Sequence, residues 1–375
     1  MHILHLFSNH KWTGPAEPAL NLCLELRRRG IDLDFACSPK GICTDSNKIV
    51  AVAQENGLDP LNFLWLGKHR HPVWNFLDAN RLRKHVQHYH YSLIHCHLDN
   101  DHEIACRALR STPLPVVRSN HLGTGLPDTR RNRFLMSHTA ALFEASGIAL
   151  ARDAGTFGID KKRLHLIPGA IATERFDPSR SLPDMRATLG LPEEAFVVGI
   201  VARMQTHRHY EDLFEGFAKF SSQTPQAHLV VIGRGTRQEQ VGFEPIRRFG
   251  LEGRVHFTGY LEGDAYVGAL NTFDVGIFLT PGTDGTCRAT REMMAMNKAM
   301  IVADRGMLRE IVEHEAEGLV TDGSAEQLCA AMKRLHASPN LLRAFSQKAF
   351  RKAHSQYTLE HLATRVIQAY ETILK

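Results

Sequence analysis

No stretch of this 375-residue chain carries 18 consecutive apolar residues, so a membrane-spanning helix is not expected. The opening run Met1-His2-Ile3-Leu4-His5-Leu6-Phe7 is too short for a secretion signal and lacks its flanks; it reads as a first strand. Seven cysteines (23, 37, 43, 96, 106, 287 and 329) form no Cys-x-x-Cys pair and follow no regular spacing. Such a distribution excludes a disulfide framework and suits reduced thiols in a cytoplasmic protein. Histidine is plentiful, at 22, but its pairs (69/71, 88/90, 95/97, 207/209) lack companion cysteines or carboxylates at ligand spacing, so no metal site is expected. There are no internal repeats and no low-complexity segment. A dinucleotide fingerprint is absent too: after the first strand stands only Gly14, so a nicotinamide cofactor is not indicated.

What is present is a globular composition, 43% hydrophobic and 23% charged, with a net charge of +5. The positive balance favours acidic partners in general and does not single out nucleic acid. The length suits about two domains. Short strand-like runs alternate with segments of helical spacing: residues 2–7, the helix-spaced Ala19–Leu26, Leu33–Cys37, then 92–98 and 115–123. That alternation predicts doubly wound parallel sheets. In such sheets ligands sit beyond the carboxyl ends of strands, which marks His97 and His121; each could equally be a satisfied structural histidine. A polar, proline-bearing segment from Asp177 to Pro192 reads as a linker, and a second strand–helix series opens at Phe196. Residues 67–91 and 127–138 mix cations with aromatics, either a face for an anionic membrane or lipid-linked acceptor, or a solvated helix over the sheet.

The most informative stretch runs from Phe273 to Ala303. It reads as a buried strand, a Gly/Pro/Thr/Asp loop, a helix and a second buried strand. The backbone N–H groups at that helix start favour an anion, most often phosphate. Arg288 in the first turn opposes the helix dipole, so it points into solvent or faces a bound anion. Asp284 and Glu292 flank the same helix start, eight residues apart. Earlier, Arg203 follows a buried strand and Arg208 comes five residues later, two fixed cations beside a helix start that would suit a pyrophosphate.

The acidic–x7–acidic pair with its Met-Met-Ala-Met sequel, and the Arg203/Arg208 pair, resemble the donor-site motifs of retaining GT-B glycosyltransferases, the family 4 or group 1 enzymes. The resemblance is dense over 196–323 and looser before that. The chain departs from the family's pattern in having Asp284 for the first Glu, Arg208 for Lys, Asn297-Lys298-Ala299 for the Gly-x-Pro turn, and Gly169, Ala170 and Ala172 where Asn, Gly and Asp are usual. It implies an α/β protein of GT-B fold, two Rossmann-like domains facing across a cleft: 1–178 for the acceptor, 179–356 for the nucleotide sugar, and 357–375 a helix crossing back to the first domain. It further implies an enzyme, a metal-independent, retaining glycosyltransferase moving a sugar from a nucleotide-diphosphate donor, UDP favoured over GDP, to a saccharide or lipid-linked acceptor. The basic first domain and the lack of a secretion signal point to a setting in surface polysaccharide or lipopolysaccharide synthesis, cytoplasmic or peripheral on the inner face of the cell membrane. No cofactor and no nucleic acid are expected.

By the same resemblance Arg203 and Arg208 stabilise the leaving diphosphate, and Asp284 lies near the donor sugar. Glu292 holds the ribose, with Gly285, Thr286, Cys287, Arg288, Gly14 and Gly233 lining the donor. His97 and His121 contact the acceptor, His121 with a catalytic part. Two other classes remain open at this level: a sugar-nucleotide epimerase of similar plan, and a non-catalytic nucleotide-sugar-binding homologue.

Overall fold

The computed structural model describes residues 1–39, 48–281 and 287–375. Two six-stranded, wholly parallel sheets account for its strands. In the first are β1 (His2–Phe7), β2 (Asp32–Cys37), β3 (Leu93–Cys96), β4 (Val116–Asn120), β5 (Ala141–Glu144) and β6 (Leu164–Leu166). The second holds β7 (Phe196–Val201), β8 (Ala227–Ile232), β9 (Val255–Gly259), β10 (Val275–Phe278), β11 (Ala299–Ala303) and β12 (Gly318–Thr321). Parallel strands need crossovers, and helices on the faces bury both sides, which is why these strands read as continuous apolar runs. Strands β3, β4, β5, β8, β10 and β11 are buried at every position.

Contacts divide the chain into two compact units. One comprises 1–169 with the terminal helix Leu359–Ile373; the other comprises 170–281 and 287–358. The division therefore falls at 169/170, earlier than the 178/179 read from the sequence. Its physical reason is that the proline-bearing segment does not run free. Ile171 bridges to Thr358, Met185 is buried, and the carbonyl of Pro183 lies 2.8 Å from where a Cβ on Gly268 would sit. The terminal helix belongs with the first unit through buried Val366 and Tyr370, and through Arg29, whose guanidinium donates to the Thr364 hydroxyl and the Glu360 carbonyl at 2.7 Å.

Strand order fixes where ligands can go. The first sheet runs β2-β1-β3-β4-β5-β6, so the chain reverses direction of growth between β1 and β3. The second runs β12-β11-β10-β7-β8-β9 and reverses between β7 and β10. Crossovers diverge to opposite faces at these points, leaving a crevice at the carboxyl edge.

Candidate functional site

In the second unit the crevice between β7 and β10 gathers several of the residues marked in the sequence. Beyond β7 the chain makes a turn carrying exposed Arg203, then one turn of tight helix, Thr206–Arg208, ended by His209 at φ 58°. Arg208 is 92% removed from solvent (8% exposed), and its Nη1 donates to the carbonyl of Thr280, beyond β10, at 2.8 Å. One guanidinium thus spans the reversal point. A planar fork can hold a carbonyl with one edge and keep its charge over the crevice, which an ammonium cannot do in the same geometry. Gly233 follows β8 at φ +142°, and a Cβ there would lie 2.3 Å from the Ala202 carbonyl. Only glycine lets this turn ride on the backbone that presents Arg203.

The helix expected after the loop runs from Arg288 to Ala295, preceded by buried Cys287 in a left-handed conformation at φ 50° with no side-chain cap. Arg288 turns along its own helix. Its Nε reaches along the helix to Glu292 Oε1 at 3.2 Å, and its side chain is 31% exposed. Glu292 is buried, and its Oε2 accepts from the Tyr266 hydroxyl at 2.5 Å. Burial and the adjacent carboxylate push the Tyr266 phenol well up, so that it remains a donor. Phe176 closes edge-on against Tyr266, ring centres 6.2 Å apart. Asp284, Gly285 and Thr286 lie outside the described residues. Tyr266 could not have been found from the sequence, because it sits on the helix Gly263–Asn271 with no spacing rule tying it to position 292.

In the first unit His97 and His121 do stand at strand ends, within a group of imidazoles. His95 and His97 stack at 4.5 Å between ring centres, and His97 and His121 at 5.9 Å, tilted by only 18° and 15°. His5 and His97 share a hydrogen bond of 3.0 Å, while His95 bonds the Tyr370 hydroxyl at 2.5 Å and the Ser119 hydroxyl at 2.7 Å. Burial holds these rings neutral: desolvation brings His5 and His121 down to about 3, and His95 and His97 well below the usual imidazole range. Nε2 of His121 is buried without a hydrogen-bond partner among the described residues. Gly14 lies in the turn after β1, just before the helix Ala16–Arg28, at the β1/β3 reversal. Its loop is tied to the start of the helix after β3, since Ser8 N donates to Asp101 Oδ2 at 2.7 Å.

Arg118 and Glu144 are the residues sequence reasoning passed over here. Arg118 sits on β4, buried, and its Nη2 donates to Asp99 Oδ1 at 2.8 Å. The signal existed: an arginine inside the apolar run Val116-Val117-Arg118 demands a partner. Glu144, fully buried at the end of β5, accepts from Asn120 Nδ2 at 3.0 and 3.1 Å; burial, with Asp153 beside it, raises its carboxyl to about 9. Neighbouring Asp153 takes the Leu126 amide at 2.8 Å, and the Ser146 hydroxyl donates to the Gly123 carbonyl at 3.0 Å. The loop carrying His121 is therefore held at both ends.

No metal is expected from the sequence, and among the described residues one buried set approaches ligand spacing. Ligand atoms of His5, Cys23 and His97 fall within 4.8 Å of one another, all buried. Tetrahedral zinc would draw them to edges of about 3.5 Å and require a thiolate. Burial instead pushes the Cys23 thiol up, and the two imidazoles are hydrogen-bonded to each other. As placed, the set suits neutral polar groups better than a cation. No helix among the described residues is long and apolar enough to cross a membrane.

Two family models match the chain: "Glycosyltransferase Family 4" over residues 13–175 and "Glycosyl transferases group 1" over residues 183–352. Among curated relatives, mannosylfructose-phosphate synthase of Agrobacterium fabrum is 23% identical over 57% of this chain and 49% of its own length. The MMP alpha-(1->4)-mannosyltransferase of Mycolicibacterium hassiacum is 21% identical over 74% of this chain and 64% of its own. The chain thus spans about half to two thirds of the length of these relatives. Among solved structures, Anabaena HepE in complex with UDP superposes with a TM-score of 0.83 at 16% identity, covering 99% of this chain and 100% of that one.

Proposed function

From the premise that this chain belongs to the GT-B glycosyltransferases of the group 1 type, we propose that it is a retaining enzyme moving a sugar from a nucleotide-diphosphate donor to a saccharide or lipid-linked acceptor. The observation that carries the donor half is Arg208. Its largely buried guanidinium bridges β7's loop to the Thr280 carbonyl at the sheet's reversal point, with Arg203 exposed earlier in that loop and the helix of Arg288 opening after the loop that follows β10. These charges suit a diphosphate, and they strengthen their hold as the glycosidic bond breaks and negative charge gathers on the leaving oxygen. Glu292, oriented by Tyr266 and Arg288, takes the ribose hydroxyls. Asp284 is assigned to the donor sugar by its place in the motif alone. UDP is favoured as the base-bearing diphosphate, in keeping with the UDP complex of HepE.

The acceptor half rests on the first unit. A neutral imidazole at His121, with Nε2 unpartnered among the described residues, can bond a sugar hydroxyl without carrying charge into the reaction. His97 supports it through the stack. In the transfer the donor's anomeric carbon loses its bond to the diphosphate oxygen. The acceptor oxygen bonds to that carbon on the same face, and the acceptor's proton leaves with the diphosphate. Two guanidinium groups supply the charge that a divalent ion supplies elsewhere. A cytoplasmic place in surface polysaccharide or lipopolysaccharide synthesis, on or near the inner membrane face, completes the proposal.

The test is a panel of UDP-, GDP- and ADP-sugars in thermal-shift assays, followed by NMR of the anomer released. Stabilisation by one class and release of the retained anomer support the reading. Exchange at a sugar ring carbon without acceptor would point to an epimerase, and binding without turnover to a non-catalytic homologue. No stabilisation by any nucleotide sugar would overturn the proposal.

A further inference from the structure

Three arginines converge on one buried carboxylate in the first unit. Glu103, its side chain 2% exposed, meets Arg131 Nη2 at 2.7 Å, Arg107 Nε at 2.8 Å and Arg70 Nε at 3.1 Å. One positive charge suffices to offset a buried carboxylate, so two are in surplus and repel each other. Their side chains are 35%, 47% and 53% exposed, so the surplus faces solvent. Arg131 Nε is buried without a hydrogen-bond partner among the described residues. Topology places the cluster at the carboxyl edge: Arg70 precedes the helix Pro72–His88 that leads back to β3, Arg131 lies in the first turn of the helix before β5, and Glu103 lies one turn into the helix after β3. The cluster also continues the candidate acceptor site. Arg131 donates to the Asp99 carbonyl at 3.0 Å, and Asp99 in turn holds Arg118, whose field helps keep His121 neutral.

We propose that Arg70, Arg107 and Arg131, gathered by Glu103, bind a phosphate carried by the acceptor. A guanidinium fork matches phosphate oxygens, and the one or two negative charges of a phosphodiester or phosphomonoester offset the surplus. The inference rests on the acceptor half of the proposed function but not on the donor half. The phosphate can belong to a soluble sugar phosphate or to a lipid headgroup.

The experiment uses the full chain, as wild type, R70Q, R131Q and a control, R247Q, whose arginine pairs with Glu239 on the surface of the second unit. Each is titrated with fructose 6-phosphate, with fructose, and with vesicles of phosphatidylcholine with or without phosphatidylglycerol. UDP binding is measured on the same samples. Sugar-phosphate binding, weaker by roughly tenfold or more in R131Q and R70Q and unchanged in R247Q, supports a soluble acceptor. Retention only on phosphatidylglycerol vesicles, lost in the same two variants, supports a lipid phosphate. Equal affinity for fructose and its phosphate, equal binding by all four proteins, or no phosphate binding at all overturns the proposal. UDP binding stands apart: its absence in wild type counts against the donor reading alone. Should R131Q lose UDP binding through misfolding, R70Q decides, because its side chain is half in solvent.

Discussion

The histidine-rich edge of the first sheet should give this protein an unusual dependence of stability on pH. His5, His95, His97, His102 and His121 are held neutral by desolvation, far below the usual imidazole range. For a group whose folded pKa is depressed, unfolding takes up a proton below the unfolded value, so stability is intact above about pH 6.5 and drains as pH falls. Two buried acids oppose them. Asp101 is raised to about 7 and Glu144 to about 9, both chiefly by burial. Their stabilisation is present at low pH and is lost as pH rises through those values. Between about pH 4.5 and 6, five protons taken up against two released leave a net three, or about 4 kcal/mol per pH unit. From a maximum near about pH 6.5 to about pH 4.5 the loss comes to about 7 kcal/mol, a large share of a typical 5–15 kcal/mol. Above about pH 7 the sign reverses: Glu144 alone costs about 1.4 kcal/mol per unit up to about pH 9. Asp78 and Asp153, also raised by burial, lean the same way as Glu144.

The assay is selective because all three tryptophans, 12, 65 and 74, lie in the first unit. Urea unfolding followed by tryptophan fluorescence therefore reports this unit at each pH. A dome centred near about pH 6.5, steeper on the acid side, is the expected result. Glu144→Gln should flatten the alkaline arm and leave the acid arm, and His102→Asn should reduce the acid slope by one proton. Stability that keeps climbing from about pH 6 to 9 would refute the reasoning, because it would mean that the acids are ionised in the native state.

Three further outcomes concern the second unit. Arg203→Ala should lower kcat by roughly 10²-fold, the scale of losing one transition-state donor, with Tm unchanged because the side chain is exposed; steady-state kinetics beside calorimetry checks both. Tyr266→Phe removes a hydrogen bond to a buried carboxylate and should cost about 1–3 kcal/mol in chemical denaturation, with a rise in donor KM. Gly233→Ala places a Cβ 2.3 Å from the Ala202 carbonyl, so it should shift the turn bearing Arg203. A loss of about 1–3 kcal/mol together with reduced kcat is expected, and wild-type kinetics would show that the turn does not position the arginine.

How far the sequence discloses such a site depends on whether its signals are local. The strands were legible because burial on both faces writes itself as short apolar runs: Val275–Phe278 lies within the run read over 273–280, and Ala299–Ala303 contains the run read over 301–303. Group 1 membership was legible because the Arg203/Arg208 and 284/292 spacings lie within single strand–loop–helix units. Strand order was not, since nothing in β7 or β10 names its neighbour; yet that order is what turns two arginines after one strand and a helix after another into one crevice. The gap between the 178/179 reading and the contact division has the same origin. Prolines and polar residues at 177–192 look like a free linker until Pro183 is found against Gly268. Arg288 shows the limit most sharply. Its first-turn position sets it against the helix dipole, and the sequence offered solvent or an anion as its resting place. The carboxylate one turn on supplies a third, at 3.2 Å. That pairing holds Arg288 and Glu292 in register. It also means that a diphosphate recruiting Arg288 must compete with Glu292, and the freed carboxylate would then bond the ribose more strongly. The two halves of donor binding would be coupled through one ion pair. Arg288→Ala should therefore weaken UDP and uridine alike if the pair orients Glu292, and UDP alone if Arg288 serves only the phosphates. Calorimetric titration of both ligands separates the cases, and unchanged affinity for both would remove Arg288 from the site.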